Sequence, residues 1–353
     1  MDIHCFIRRI CVFCVFFLLN QSIFAASHII HISVDGLYAD ALNILTETEL
    51  PNFTRLKNEG SSTLKARTDP DWTTTLPNQT SQFSGRRVNK SEQGHGWEIN
   101  FDPGIATLHS NAGKYIAGIF DVVHDAGLST ILFAGKQKFA LFKRSWNATS
   151  GAGDHIGIDN GKSKIDKYIF DQSTASLVSN FIDDLESQTR HYAFLHIRDP
   201  DTAGHDHGWS ILPGSEYLNA IKTTDNYLGQ ILNFLDTNSE YKNSTVIILT
   251  SDHGGIVGRT NHIANNFQSH TIPFYIWGEN VENADLYTLN KCTAIQPSAS
   301  EIPPYSSILQ PIRNSDAANL AALLLGLPQI PGSHIHTIKQ IKSKNIKSCN
   351  NEV

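Results

Sequence analysis

The chain is poor in charge. Asp, Glu, Lys and Arg make up 18% of its 353 residues, and no block of like charge interrupts it. Setting aside residues 1–25 leaves 26 basic against 33 acidic residues, a net charge of −7. A mildly acidic chain without a basic stripe has no electrostatic footprint for a nucleic-acid backbone, which excludes duplex binding, and it lacks the polybasic surface of a membrane-binding enzyme. Long apolar runs are missing as well. The run Ile10–Leu19 is too short to span a bilayer. Arg8 and Arg9 precede it and the small Ala25 follows, so residues 1–25 read as a secretory signal peptide, and a secreted or periplasmic protein without a membrane span is expected. Cysteine is scarce. Cys5, Cys11 and Cys14 fall in the leader, and Cys292 and Cys349 remain, either to pair in an oxidising compartment or to stay as free thiols. No repeat or low-complexity segment appears, so solenoid and linker architectures are excluded.

What is present is a large core and an alternating pattern. With 40% hydrophobic residues, positions 26–353 can bury one sizeable α/β domain. Apolar runs at His28–Val34, Thr130–Ala134, Tyr192–Ile197, Thr245–Thr250 and Thr271–Trp277 read as strands. Helical patterns lie at about Tyr38–Leu45, Pro51–Gly60, Tyr115–Asp125, Lys167–Ser187, Ser215–Leu235 and Ser315–Leu325. Alternation of this kind predicts a mainly parallel central sheet covered by helices on both faces. Residues 84–114, with seven glycines and histidines, read as a loop-rich cap.

Carboxylates and imidazoles stand just beyond several of these strands, where ligands bind in open α/β sheets. Asp35 ends Ile-Ser-Val-Asp-Gly, Asp201 and His205 lie in Asp-Pro-Asp-Thr-Ala-Gly-His, Asp252 and His253 lie in Ser-Asp-His-Gly-Gly, and His262 follows. Asp-Gly after a strand is by itself an ordinary turn signal. Asp201 and His205 would share one face of a single helical turn. Adjacent acid and imidazole at a sheet end are costly to bury unpaired, which argues against a packing role. A three-plus-three split of oxygen and nitrogen ligands suits two zinc ions, which can clamp the attacking and leaving oxygens of a phosphoryl transfer. Thr75, in Thr-Thr-Thr-Leu-Pro-Asn, reads either as a helix N-cap or as a hydroxyl placed where a helix terminus favours phosphate. Asn78, three residues on, is a candidate donor to a phosphoryl oxygen. Lys136, Asp154, His155 and His95 read more simply as loop residues.

The order Asp35, Thr75-Leu-Pro-Asn78, Asp201-x-x-Gly-His205, Asp252-His253-Gly and a later histidine resembles the alkaline phosphatase superfamily, most of all its type I phosphodiesterase/nucleotide pyrophosphatase branch. The resemblance covers nearly all of positions 26–353. It implies two zinc ions, one held by Asp35, Thr75, Asp252 and His253, the other by Asp201, His205 and His262. His262 fits the family spacing to the strand ending at Gly278, whereas His270 lies too close. The resemblance also makes Asn78 the phosphate-binding asparagine and Thr75 a nucleophile passing through a phosphothreonine. The expected substrate is a small phosphoester, nucleotides among them. Gln79 stands where the branch often carries His, and Ile263 where Gly is common. A sulfatase would need Cys or Ser followed by x-Pro-x-Arg, which Thr75-Leu-Pro-Asn-Gln79 does not provide. A phosphomonoesterase on the same scaffold and an inactive binding protein are the alternatives.

Overall fold

The computed structural model describes residues 26–153 and 162–343. Eight strands form one sheet: β1 (His28–Val34), β2 (Ser61–Arg67), β3 (Thr130–Ala134), β4 (Lys167–Phe170), β5 (Tyr192–Ile197), β6 (Thr245–Thr250), β7 (Thr271–Gly278) and β8 (Ala284–Asp285). Their order is β4-β3-β5-β1-β6-β7-β2-β8. Pairing is parallel from β4 across to β6, and β7 runs antiparallel to both β6 and β2. Seven helices matter here: α1 (Pro51–Glu59), α2 (Thr75–Ser84), α3 (Ile119–His124), α4 (Thr174–Ser187), α5 (Asp199–His207), α6 (Glu216–Thr237) and α7 (Asp316–Leu324).

The mainly parallel sheet with helices on both faces is as expected. Alternate residues of β1 serve opposite faces, as the two-residue period of a strand requires. Ile30, Ile32 and Val34 join Phe53 and Leu56 of α1, Leu177 and Phe181 of α4, and Ile221 of α6 in one core. Ile29 joins Leu76 and Phe83 of α2, Phe120 of α3 and Leu320 of α7 in the other. Each such side chain contributes about 1.5–3 kcal/mol by leaving water.

Two polar residues of β1 face the second core, and both are satisfied. His31 Nε2 meets Gln82 Oε1 at 3.1 Å, and Ser33 Oγ accepts from Gln79 Nε2 at 2.7 Å. Gln79, the departure from the family pattern, therefore docks α2 onto the central strand and fixes where that helix begins.

The sequence reading needs correction in three places. Lys167–Ser187 is not one helix: Lys167–Phe170 pairs with β3, and the helix begins at Thr174. The helical stretch predicted from Tyr115 is confined to Ile119–His124. β2 and β8 were not anticipated. Residues 84–114 contain only short turns at Lys90–Glu92 and Leu108–Ala112. The leader 1–25, Asp154, His155 and Cys349 lie outside the described residues. Cys292 is disulfide-bonded.

Candidate metal centre and active site

Register puts the carboxyl ends of the central strands level. Val34 pairs with Ile197, Ser33 with Thr250, and Ala134 with His196. The residues that follow these ends therefore meet at one edge. Asp35 leaves β1, Lys136 leaves β3 after one glycine, α5 with Asp201 leaves β5, and Asp252-His253 leaves β6. Gly36 makes this convergence possible. Its φ is +68°, and a Cβ there would lie 2.8 Å from Asp201 Cα, so only glycine lets the β1 turn approach α5.

The structure brings all six predicted carboxylates and imidazoles together in two groups, Asp35/Asp252/His253 and Asp201/His205/His262. Within each group the ligand-type atoms lie within 4.8 Å of one another. The groups adjoin, with His253 Nε2 3.8 Å from Asp201 Oδ1. The imidazoles share one device. His253 Nδ1 lies 2.8 Å from Gly254 O, His205 Nδ1 3.0 Å from Thr260 O, and His262 Nδ1 2.6 Å from Thr73 O. A carbonyl only accepts, so each Nδ1 carries the proton and each Nε2 presents a lone pair. Two of these lone pairs confront each other, His205 Nε2 and His262 Nε2 being 3.2 Å apart.

The carboxylates complete the picture. Asp35 Oδ1, Asp201 Oδ1, Asp252 Oδ2 and His253 Nε2 are buried and have no hydrogen-bond partner among the described residues. Buried polar atoms are rarely left so, and four of them converging on one another fit cations. The second oxygens are held. Asp35 Oδ2 meets His196 Nε2 at 2.9 Å, and Asp252 Oδ1 accepts from Gly36 N at 3.1 Å and His253 N at 2.9 Å. Burial raises the Asp35 carboxyl, but Lys136, His196 and His253 outweigh it and hold it well below the ordinary value. Asp252 is pushed up to about 7 by burial and by the neighbouring Asp35 charge. His262 is driven down to about 2 by burial, His253 and His205, which keeps it neutral.

Thr75 is the first residue of α2, and Thr74 holds the cap position, so Thr75 is not the N-cap. Its side chain is buried, and its hydroxyl has no hydrogen-bond partner among the described residues. Asn78 departs from expectation. Its amide nitrogen donates to Trp72 O at 2.8 Å and Thr74 O at 3.2 Å, and its oxygen accepts from Asp69 N and Asn314 Nδ2. Both amide hydrogens are spent on the turn that leads to Thr75, so this arrangement makes Asn78 a scaffold for the threonine and leaves it no donor for a phosphoryl oxygen. It is fully buried, which also excludes its Asn-Gln-Thr sequon as a glycan site.

Two residues were missed or misread in the sequence. Asn100, inside the expected cap, accepts from the Leu76 backbone N–H at 3.0 Å, next to Thr75. Lys136, read as a loop residue, lies between Asp35 Oδ2 at 2.6 Å and Asp201 Oδ2 at 2.5 Å. Sequence could not reveal this, because it depends on β3 lying beside β5. His95 matches its plainer reading: it is buried, with Nε2 3.1 Å from Ser81 Oγ and Nδ1 accepting from Trp97 N. Asp206 and His207 line a separate groove with Arg198, away from the two groups.

Residues 135–272 match the family model described as type I phosphodiesterase / nucleotide pyrophosphatase. Over that segment the chain is similar to the type I phosphodiesterase family, in line with the resemblance read from its motifs. The matched segment carries Lys136, Asp201, His205, Asp252, His253 and His262 but neither Asp35 nor Thr75. Among solved structures, murine ectonucleotide pyrophosphatase/phosphodiesterase 5, as an inactive variant in complex with AMP, aligns with a TM-score of 0.55 at 16% identity, covering 86% of this chain and 96% of the other. An alkaline phosphatase superfamily protein from Vibrio parahaemolyticus gives 0.55 at 13% identity, with 90% and 71% coverage. The lipoteichoic acid synthase LtaP from Listeria monocytogenes gives 0.56 at 13% identity, with 89% and 76% coverage. At such identities the likeness is one of fold. No curated protein sequence matches the chain. Among the described residues, no helix is long and apolar enough to cross a membrane. The family segment supports a phosphoester hydrolase, and each of the two groups of ligand-type residues could hold a metal ion.

Proposed function

We infer that the protein is an exported two-zinc phosphodiesterase or nucleotide pyrophosphatase acting through Thr75. The observation that carries this is the inward set of Nε2 lone pairs and orphaned carboxylate oxygens beside an unpartnered threonine hydroxyl at a helix start. Asp35, Asp252 and His253 would hold one ion and Asp201, His205 and His262 the other, with Thr75 added to the first set. Mixed nitrogen and oxygen donors in sets of three, each leaving an open position, suit zinc. Bound there, the ions would supply Lewis acidity and lower the pKa of a coordinated hydroxyl or water.

The chain's own residues do the rest. Thr75 Oγ1, its proton passed to solvent, forms a bond to phosphorus while the bond to the leaving oxygen breaks in line, and the leaving group takes a proton from solvent. Water then cleaves the phosphothreonine, which restores the hydroxyl and releases the phosphoryl product. The Leu76 N–H holds Asn100 beside the threonine by its Oδ1, and the Asn100 amide nitrogen suits an equatorial oxygen. The Asn100 nitrogen makes no hydrogen bond among the described residues, so it takes the role expected of Asn78. The start of α2 adds its N–H groups and dipole. A nucleotide substrate is supported by the family segment and by the AMP complex of the murine neighbour. Export rests on the leader alone.

The test is hydrolysis of bis-p-nitrophenyl phosphate and p-nitrophenyl phosphate by wild type and Thr75→Ala after zinc reconstitution. Turnover that disappears in the variant while zinc content stays the same supports the reading. Retained turnover rejects Thr75 as nucleophile. A phosphomonoesterase would cleave the monoester faster.

A further inference from the structure

Lys136 and Lys138 follow β3 on the same side as the metal groups, yet their situations differ. Lys136 is neutralised by two carboxylates. Lys138 is partly buried, and among the described residues no carboxylate lies within ion-pairing distance of its Nζ. Its one hydrogen bond is to Asn100 Oδ1, at 2.9 Å, the same oxygen that accepts from Leu76 N–H at 3.0 Å. An ammonium has three N–H donors, and here Asn100 uses one. Burial, and then the charge of Lys136, lowers Lys138 to about 8 against the opposing pull of the Asp35, Asp252 and Asp201 charges. Next to Thr75, through the Leu76–Asn100–Lys138 chain of hydrogen bonds, the structure therefore places one ammonium without an ion-pair partner and one amide nitrogen on Asn100 with no hydrogen bond among the described residues. A phosphodiester group, with one negative charge, leaves that ammonium uncompensated.

Building on the proposed hydrolase reading, we propose that Lys138 contacts a second negative charge of the substrate, so that the preferred class is a phosphoester bearing at least two negative charges at or next to the transferred phosphoryl group. Two chemistries supply that charge: a terminal monoester, on the transferred group itself, or a pyrophosphate linkage, on the adjacent phosphate. The lysine binds and positions; Thr75 remains the nucleophile.

Three substrates separate the cases: bis-p-nitrophenyl phosphate with one charge, p-nitrophenyl phosphate with two on the transferred group, and ATP with charge on neighbouring phosphates. A charge-assisted hydrogen bond is worth about 10–100-fold in binding. Lys138→Gln should lower kcat/KM by about that factor on the monoester or on ATP, mostly through KM, with bis-p-nitrophenyl phosphate changed little, and Lys138→Arg should restore most of it. Which of the two doubly charged substrates responds identifies the source of the charge. Calorimetric binding of inorganic phosphate to the zinc-loaded protein gives a readout independent of turnover: Lys138→Gln should weaken it about 10-fold or more. Lys138→Met, which keeps the length of the side chain without its charge, should weaken it as well and serves if Lys138→Gln does not fold. Equal losses on singly and doubly charged substrates, or phosphate binding unchanged in both variants, would overturn the proposal. Loss of all ester hydrolysis with phosphate binding still dependent on Lys138 would refute the hydrolase reading and leave the anion contact standing.

Discussion

The two groups of ligand-type residues are built differently. Asp35, Asp252 and His253 hang directly from the ends of β1 and β6, adjacent strands at the centre of the sheet, and all three are fully buried. Asp201 and His205 sit on α5, His262 lies in the loop beyond β6, and the His205 side chain is 46% exposed. The first group carries two carboxylates and one imidazole, the second one carboxylate and two imidazoles. A divalent ion should thus be held harder, and exchanged more slowly, in the first than in the second. The first group is closed off from solvent, whereas the second opens to it through His205.

That contrast can be broken or sharpened, starting with the largest effect. Thr75→Ala should cost at least about 10³-fold in kcat while both ions stay bound, since the nucleophile is lost but three ligands remain in each group; loss of an ion instead would make the threonine mainly a ligand. Asp35→Ala should remove the ion of the buried group and cost more than the roughly 100-fold typical of losing an outer partner, whereas His205→Ala should empty only the open group. Chelator titration sharpens the same point, because the first ion released should be the one whose site His205→Ala abolishes. His196→Ala removes the partner of Asp35 Oδ2 and should weaken metal affinity by about 10–100-fold, read by competition with a zinc indicator.

The smallest effect concerns the metal-free protein. Asp252 is pushed up to about 7, so its folded value exceeds its unfolded one. Its contribution to stability is then complete below about pH 4 and is lost as pH rises through 7. Asp252→Asn keeps an acceptor for Gly36 N and His253 N and removes that charge. It should raise the metal-free Tm by about 2–4 °C at pH 8, with the gap closing towards pH 4. A lower Tm for the variant at pH 8 would mean that the carboxylate is stabilising even without metal.

Much of this was legible in the sequence because the chemistry sits where the pattern is strongest. A continuous apolar strand followed by an acid fixes Asp35 and Asp252 at the sheet's edge, and the four-residue spacing on α5 places His205 beside Asp201. Asn100 and Lys138 could not be read that way. Asn100 lies in an irregular segment and Lys138 in a single 3-10 turn, Gln137–Phe139, and their approach to the start of α2 depends on which strands are neighbours and on how a loop folds back, neither of which leaves a periodic signal. Asn78 misled for a related reason: its residue type suits phosphate, but the backbone of its own turn claims the amide. The strand at Lys167–Phe170 was absorbed into the following helix because it is only four residues long and half-buried, with no alternation to mark it.

The most direct test of the account is the metal content of purified protein, wild type beside His205→Ala, by mass spectrometry of the bound elements. The account predicts two zinc ions per chain in the wild type and one in the variant. A single ion in both, or none after reconstitution with zinc, would contradict it.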